Sequence, residues 1–300
     1  MNKQPAISVI MSVYNQKNAT YLEESILSVI GQSFADFEFI IYNDGSDEVI
    51  FFKLEEYART DDRIILINNP VNQGLAYSLN ACILAAKGKY LARMDDDDIC
   101  HIHRFRIQYE YLENHPEIAF VGSNAGLIDG DGIFWGHRAM PMEPDKKDFL
   151  RFSPYVHPTV MIRRSVLEDG NHYNPGQKTL RCEDYELFMR LHNAGYRGQN
   201  VQQELFYYRE DFHSYQKRNL KVRLAEMYVR YKNFKELGLL SAPGYLYVIR
   251  PLISMLVPSR LILRIKQKYH RHNVESEEHG KLGAQIIPIS PNTERRAGVI

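Results

Sequence analysis

Short apolar runs alternate with amphipathic segments from the start of the chain. Residues 7–14 and 37–42 are near-continuous runs of Ile, Val and aromatic side chains, typical of strands covered on both faces in a parallel sheet. Between them, apolar residues recur at helical spacing over residues 20–32, and Thr20 with Glu23 predicts a capping box at the start of that helix. This alternation predicts βαβ units in a doubly wound, mostly parallel α/β sheet, with ligands beyond the carboxyl ends of its strands.

The remaining elements follow from the same patterns. The spacing predicts strands over residues 63–68, 89–94, 118–123 and 157–162, and helices over residues 74–86, 183–193 and 220–237. The Asp-Gly-Asp-Gly turn at residues 129–132 indicates a mixed or antiparallel half after residue 115. We therefore expect a main domain over residues 1–215 with halves at about 1–115 and 116–215, a helical appendage over 216–271 and a disordered tail over 272–300.

Charge and cysteine content restrict the partners and the compartment. Lys plus Arg and Asp plus Glu both number 37, so there is no net field to attract nucleic acid. The three cysteines, Cys82, Cys100 and Cys182, indicate free thiols in a reducing compartment. No signal peptide is recognisable, and the most apolar stretch, residues 245–257, is too short and too interrupted to span a membrane. These features predict a cytoplasmic protein.

Four adjacent aspartates, Asp95 to Asp98, follow the strand predicted over residues 89–94. Adjacent carboxylates repel one another unless a cation lies among them, and Mg²⁺ or Mn²⁺ uses one or two protein carboxylates together with phosphate oxygens. If the strand conformation continued, Asp95 and Asp97 would point one way and Asp96 and Asp98 the other. Taken alone, the run is equally compatible with a solvated loop that caps the next helix.

Polar residues also follow the first two strands, at Val13-Tyr14-Asn15 and at Asn43-Asp44-Gly45-Ser46. In a parallel sheet these ends and the aspartates meet at one edge. An aromatic ring and an amide can enclose a base, and Asp44 can accept the N3 hydrogen of uracil or thymine, although a tight turn with a helix cap also explains that segment. The absence of a Gly-x-Gly-x-x-Gly sequence and of a Walker lysine disfavours dinucleotide dehydrogenases and P-loop enzymes.

Six motifs in order resemble those of the family-two glycosyltransferases with the GT-A fold, such as bacterial capsule, O-antigen and exopolysaccharide glycosyltransferases. They cover residues 6 to 210 and read Ser8-Val9-Ile10-Met11-Ser12-Val13-Tyr14-Asn15, Asn43-Asp44-Gly45-Ser46, Asn72-Gln73-Gly74-Leu75, Ala92-Arg93-Met94-Asp95-Asp96-Asp97-Asp98, His157-Pro158-Thr159 and Glu183-Asp184-Tyr185-Glu186-Leu187. The resemblance implies a GT-A nucleotide-sugar-binding half, a mixed acceptor half and C-terminal helices.

The resemblance also implies roles for individual residues. Val13, Tyr14 and Asn15 would line the base and ribose pocket, Asp44 would read the base, and Asp95 would lie near the ribose or sugar; the donor set also includes Asn72, Gly74, Arg93 and Asp96. Asp97 would bind Mn²⁺ or Mg²⁺, and this chain has Asp96 where relatives more often have a small residue. His157 and Glu183 would flank the acceptor or the diphosphate.

The catalytic base implied by the resemblance is Asp184, near the start of a helix beside Glu183. One carboxylate of this pair can cap the helix while the other faces the cleft. A base that deprotonates an acceptor hydroxyl leads to a single inverting displacement. We therefore expect transfer of a sugar from a UDP- or dTDP-sugar to a saccharide or lipid-linked saccharide during cell-surface polysaccharide synthesis.

Several alternatives remain open at this point. A sugar nucleotidyltransferase shares the sheet, the metal and the base pocket, and a non-catalytic nucleotide-sugar-binding protein would bind the donor without turnover. A zinc site at Cys100, His101 and His103 lacks a second ligand cluster, and a thiol dyad of Cys182 with His157 lacks an orienting group. A phosphatase would carry its Asp-x-Asp nucleophile at the first strand. Arg93 in a buried strand requires an acidic or phosphate partner.

The segment over residues 245–269 combines apolar and basic side chains. This composition is typical of a surface-lying segment that contacts anionic lipid headgroups, and helices that pack on the domain or form a dimer contact are the alternative. The sequence does not predict the sugar, the linkage or the oligomeric state.

Overall fold

The computed structural model describes residues 4–168, 170–210 and 219–256. Its strands are β1 (Ile7–Val13), β2 (Phe37–Asp44), β3 (Ile64–Asn69), β4 (Tyr90–Met94), β5 (Ile99–Cys100), β6 (Phe120–Ile128), β7 (Phe134–Arg138), β8 (Met161–Arg163) and β9 (Gly198–Arg209). Its α-helices are α1 (Ala19–Ile30), α2 (Glu48–Thr60), α3 (Leu75–Ala85), α4 (Arg104–Asn114), α5 (Arg164–Glu168), α6 (Glu183–Asn193), α7 (Leu220–Glu236) and α8 (Ala242–Ile253).

The strands form one sheet in the order β3-β2-β1-β4-β8-β6-β9-β5, with β7 paired to β6. Strands β1 to β4 are parallel, whereas β8 runs antiparallel to both β4 and β6. The predicted α/β fold, with a parallel first half and a mixed second half, is therefore confirmed. Val13 pairs with Asn43 and Met11 with Met94, so the residues that follow β1, β2 and β4 emerge at the same edge.

Helices cover both faces of the sheet. Apolar residues of α1, α2 and α4 form one buried cluster, and those of α3, α6, α7 and α8 form a second cluster on the other face. Strands that are buried on both faces carry apolar side chains at most positions, because no position alternates into solvent. This explains the continuous apolar runs from which β1 and β2 were predicted.

Some local predictions were wrong. Helix α1 is capped by Asn18, whose side chain accepts the Thr20 N–H at 3.0 Å, so Thr20 lies inside the helix. The strand expected over residues 157–162 is a 3₁₀ turn at His157–Thr159 followed by the three-residue β8, because a proline at the second turn position favours the turn. The sequence patterns did not predict β9. The tail over residues 272–300 lies outside the described residues, as does the part of the 245–269 segment after residue 256.

No helix in the described ranges is long and apolar enough to cross a membrane. The three predicted free thiols, Cys82, Cys100 and Cys182, are free and buried.

Candidate active site

The loops after β1 and β2 are joined by hydrogen bonds at the carboxyl edge of the sheet. Asn15 has a positive φ of 46°, and its N–H donates to the Ser46 hydroxyl at 3.0 Å. The Asn15 side-chain oxygen in turn accepts the Asp47 N–H at 2.8 Å. Val13 is buried in the core, whereas the Tyr14 ring is exposed beside the edge. The structure therefore presents an exposed aromatic ring beside a fixed amide, as the sequence suggested.

Asp44, the last residue of β2, is buried, and its carboxylate accepts three hydrogen bonds. The donors are the Asn72 side chain at 2.8 Å, the Gln73 N–H at 2.9 Å and the Gly74 N–H at 2.8 Å. Gly74 has a φ of 91° and precedes α3 without a side-chain cap. Asp44 thus fixes the loop that starts α3, and the motifs at Asp44 and at Asn72 to Gly74 are two halves of one unit.

The acidic run does not continue the strand, because β4 ends at Met94. Carboxylate oxygens of Asp95, Asp97 and Asp98 all lie within 4.8 Å of one another. The expected alternation, with Asp98 on the side opposite Asp95 and Asp97, was therefore wrong. The turn brings Asp98 to the same side and leaves Asp96 outside the group.

Asp98 is the buried member of this acidic group. One of its carboxylate oxygens accepts the Arg209 N–H at 2.7 Å, and the other is buried without a hydrogen-bond partner in the described part of the chain. Burial, together with the neighbouring carboxylates of Asp97 and Asp95, raises the pKa of Asp98 well above its usual value, and the same causes raise the pKa of Asp96. An unpaired buried carboxylate oxygen is costly. Three convergent hard oxygens therefore fit a divalent cation such as Mg²⁺ or Mn²⁺.

Arg209, at the end of β9, is hydrogen-bonded to the acidic loop formed by residues 95–98. Its guanidinium donates to the Asp97 carbonyl at 2.8 Å and to the Glu24 carboxylate at 2.7 Å. The sequence gave no sign of this role, because Arg209 follows the acidic run by more than a hundred residues and β9 was not predicted. Only the pairing of β9 with β6 brings Arg209 to the site.

Arg93 lies on β4 behind the acidic loop and is buried. It forms an ion pair with Asp95, which confirms the acidic partner expected from the sequence. Its Nε atom is also buried and has no hydrogen-bond partner among the described residues. Burial lowers the pKa of His157 and raises the pKa values of Tyr173 and Asp184; the charge of Arg93 adds to the first shift and opposes the other two, so one buried cation acts on both halves of the site.

His157 and Tyr173 form a buried pair beside Arg93. The His157 Nε2 atom and the Tyr173 hydroxyl are 2.7 Å apart. Burial, followed by the charge of Arg93, lowers the pKa of His157 well below its usual value, and burial raises the pKa of Tyr173. Both groups are therefore neutral at physiological pH.

Asn80 on α3 fixes the position of Tyr173. Its amide accepts the Tyr173 N–H at 2.9 Å and donates to the Tyr173 carbonyl at 2.8 Å. Neither residue was singled out from the sequence. Tyr173 lies in a segment without periodicity, and Asn80 lies in a predicted helix where its amide had no apparent partner.

Asp184 and Glu183 open α6, as predicted. The Glu183 carboxylate accepts the N–H of Arg181, a residue with a positive φ of 58°, at 3.1 Å. Burial raises the pKa of Asp184, and the charges of Arg93 and Arg138 oppose that shift. Burial and the Asp184 charge raise the pKa of Glu183. Arg138, on β7, was not predicted to belong to the site.

The described residues favour neither the zinc site nor the thiol dyad. The one cluster of ligand atoms found among them is formed by aspartates, and the His103 ring instead contacts the Ser33 hydroxyl at 2.9 Å. His157 is paired with Tyr173, and burial raises the pKa of the Cys182 thiol.

A parallel sheet with polar loops and a carboxylate cluster at its carboxyl edge, continued by a mixed half with an acidic helix start, defines a GT-A-type nucleotide-sugar enzyme. Residues 8–170 match the family described as glycosyl transferase family 2. The chain is also 33% identical over 281 residues to EpsE of Bacillus subtilis (strain 168), a protein assigned as a glycosyltransferase, with 93% of this chain and 98% of EpsE covered. The chain therefore belongs to glycosyl transferase family 2.

Solved structures have the same fold at low sequence identity. TarS of S. aureus (residues 1–349, in complex with UDP) gives a TM-score of 0.60 at 17% identity, covering 85% of this chain and 73% of that one. The mannosyltransferase PcManGT from Pyrobaculum calidifontis, in complex with GDP-Man and Mn²⁺, gives 0.58 at 15% identity, covering 89% and 81%. These likenesses confirm the GT-A fold, and membership of the family identifies the chain as a glycosyltransferase.

Proposed function

We propose that this protein is a metal-dependent, inverting glycosyltransferase that uses a UDP- or dTDP-sugar. The observation that carries the proposal is the convergence of Asp95, Asp97 and Asp98 at the sheet edge, with a buried Asp98 oxygen that lacks a hydrogen-bond partner within the described ranges. That edge also carries the Tyr14 ring and the Asp44 carboxylate, and the Asp184 carboxylate belongs to the same electrostatic network through Arg93.

The donor binds across the ends of β1, β2 and β4. The Tyr14 ring and the Asn15 amide enclose the base and ribose, and Asp44 selects a base that carries an N3 hydrogen. The Asp44 oxygen that accepts the Gln73 N–H would accept the base N3 hydrogen with its second lone pair. Asn72 and Gly74 shape the same pocket because both are bonded to Asp44. Asp95 and Arg93 lie towards the sugar, and Asp96 adds negative charge to the loop.

Asp97 is the main metal ligand, and Asp95 and Asp98 are suited to contribute oxygens because of their proximity. A bound Mn²⁺ or Mg²⁺ offsets the negative charge that grows on the departing diphosphate. Arg209 keeps these residues in place, because its guanidinium donates to the Asp97 carbonyl and its backbone N–H donates to the Asp98 carboxylate.

Asp184 accepts the proton of the acceptor hydroxyl. The resulting oxygen attacks the anomeric carbon from the face opposite the departing nucleotide, so the configuration inverts. A carboxyl group whose pKa is raised by burial is a stronger base than an exposed one. Glu183 and His157 flank the acceptor or the diphosphate, and neutral His157 can offer a hydrogen bond without adding charge.

The acceptor is a saccharide or a lipid-linked saccharide in the synthesis of a cell-surface polysaccharide, and the enzyme acts in the cytoplasm. The motif resemblance to capsule, O-antigen and exopolysaccharide enzymes supports this assignment. A lipid-linked acceptor requires the active site to reach a membrane surface.

Calorimetry with a panel of nucleotide sugars, each with and without Mn²⁺, tests the donor and the metal together. We expect UDP- or dTDP-sugars to bind in a Mn²⁺-dependent manner and to be hydrolysed slowly or transferred. Tight binding of every donor without Mn²⁺ would contradict metal dependence. Donor binding without any turnover over an acceptor panel would favour a non-catalytic binder, and release of pyrophosphate from a nucleoside triphosphate would favour a nucleotidyltransferase.

A further inference from the structure

Helix α8 has a buried face and an exposed face, both apolar. Its buried side chains are Val248 and Pro251, and Val248 joins the core that also contains α7. Four large apolar side chains on the opposite face form a stripe that is 41% to 63% exposed: Tyr245, Leu246, Ile249 and Ile253. Their spacing over two turns places them on one side of the helix. Docking onto the domain, the alternative weighed for this segment, accounts for the buried face and leaves the stripe unexplained.

The charged residues of α8 and of the sequence at 257–271 are all positive. α8 contains Arg250 and no acidic residue. Arg250 is exposed, and its guanidinium donates to the carbonyl of Arg151, an exposed residue, at 2.8 Å. The sequence that follows α8, residues 257–271, contains five Lys or Arg residues and no Asp or Glu. An apolar stripe with cationic flanks matches the chemistry of an anionic lipid surface.

We propose that the α8 stripe is the surface by which the enzyme rests on an anionic lipid membrane. The apolar side chains enter the boundary between headgroups and acyl chains, while Arg250 contacts lipid phosphates; the basic sequence after α8 adds to the positive charge of this part of the chain. A second copy of the chain is a poorer occupant, because an isologous contact through α8 would bring like charges together. This surface is distinct from the catalytic edge, so membrane contact does not depend on the proposed reaction.

Vesicle flotation of the full chain tests the proposal with a matched pair of variants. Leu246→Glu/Ile249→Glu places two negative charges on the stripe. Val49→Glu/Phe52→Glu places two on α2, where Val49 is 70% and Phe52 60% exposed. We expect the wild type to float with vesicles of phosphatidylglycerol and phosphatidylcholine, less so at high salt, and not with phosphatidylcholine alone. The α8 variant should bind the anionic vesicles at least about tenfold more weakly than the wild type. The α2 variant should bind them as tightly as the wild type does.

Thermal melting establishes that each variant is folded. A further control, Leu246→Phe/Ile249→Phe, keeps the stripe apolar and should therefore retain vesicle binding. Three results would overturn the proposal. The first is failure of the wild type to float with anionic vesicles, and the second is equal loss of binding in the α2 and α8 charge variants. Alternatively, light scattering without lipid could show a dimer that only the α8 charge variant dissociates, which would assign the stripe to a second copy.

Discussion

Replacing Asp44 by Ala tests whether this residue has one role or two. The substitution removes a buried carboxylate that accepts three hydrogen bonds of 2.8 to 2.9 Å from Asn72, Gln73 and Gly74. A hydrogen bond to a charged group contributes about 1.5–3 kcal/mol. Because Asn72 and Gln73 are exposed and water can replace part of the loss, we expect the free energy of unfolding to fall by about 3 kcal/mol. This corresponds to a melting temperature lower by about 5–10 °C.

The second role is recognition of the base. Uracil carries an N3 hydrogen and cytosine does not, so a carboxylate that accepts this hydrogen favours UDP over CDP. We expect calorimetry to show that preference in the wild type and its loss in Asp44→Ala at a temperature where the variant is folded. Asn72→Ala is the control, because it removes one donor to Asp44 and leaves the carboxylate, and should therefore keep the preference.

The two outcomes separate the two roles. A melting temperature within about 1 °C of the wild type would refute the loop-fixing role. A preference for UDP over CDP that survives in Asp44→Ala would refute base recognition and leave Asp44 as a structural residue.

Four further predictions concern the reaction itself. Asp97→Ala should abolish Mn²⁺-stimulated transfer and Mn²⁺-dependent UDP binding, whereas Asp62→Ala, at an exposed acid before β3, should not; unchanged stimulation in Asp97→Ala would contradict its role as ligand. Asp184→Asn should retain donor binding while transfer falls roughly 10²- to 10⁴-fold; retained anomeric configuration in the wild-type product, seen by NMR, would rule out the single displacement. Because Asp184 acts as a base in its deprotonated form, kcat/KM should decrease as the pH is lowered. Burial raises the pKa of Asp184, so the midpoint of that decrease should lie above the pH of about 4 that is usual for Asp. Tyr173→Phe removes the hydroxyl that contacts His157, so transfer should fall about tenfold with donor affinity unchanged, and an unaltered rate would make the pair structural only.

Features encoded in short stretches of sequence could be predicted. The buried strands β1, β2 and β4 appear as continuous apolar runs, and parallel strands must bring their carboxyl ends to one edge. The convergence of Asn15, Asp44 and the acidic run at that edge follows from those two facts. Helix α6 was predicted with the bounds that the structure shows, because its acidic first turn and its Gly195 stop are local signals.

Features that depend on distant residues could not be predicted. Period-two geometry assigned Asp98 to the wrong side because it assumes an unbroken strand, whereas the backbone N–H of Arg209, 111 residues further on, holds the Asp98 carboxylate. Buried and exposed side chains do not alternate regularly along β9, because its first residues are all buried and its middle is exposed. No regular spacing of apolar residues therefore identified this strand. Tyr173 enters the site through Asn80, 93 residues earlier, which no local pattern records.

Local sequence therefore specifies the parallel first half of the sheet, the edge at which its strands end and the carboxylates available there, because burial and strand direction depend on neighbouring residues. The mutual positions of the carboxylates, the burial of the Arg93 guanidinium beside Asp95 and the hydrogen bonds from Arg209 are set by the tertiary structure. Those relations depend on hydrogen bonds between segments that the chain brings together only when β6, β8 and β9 join the first half of the sheet.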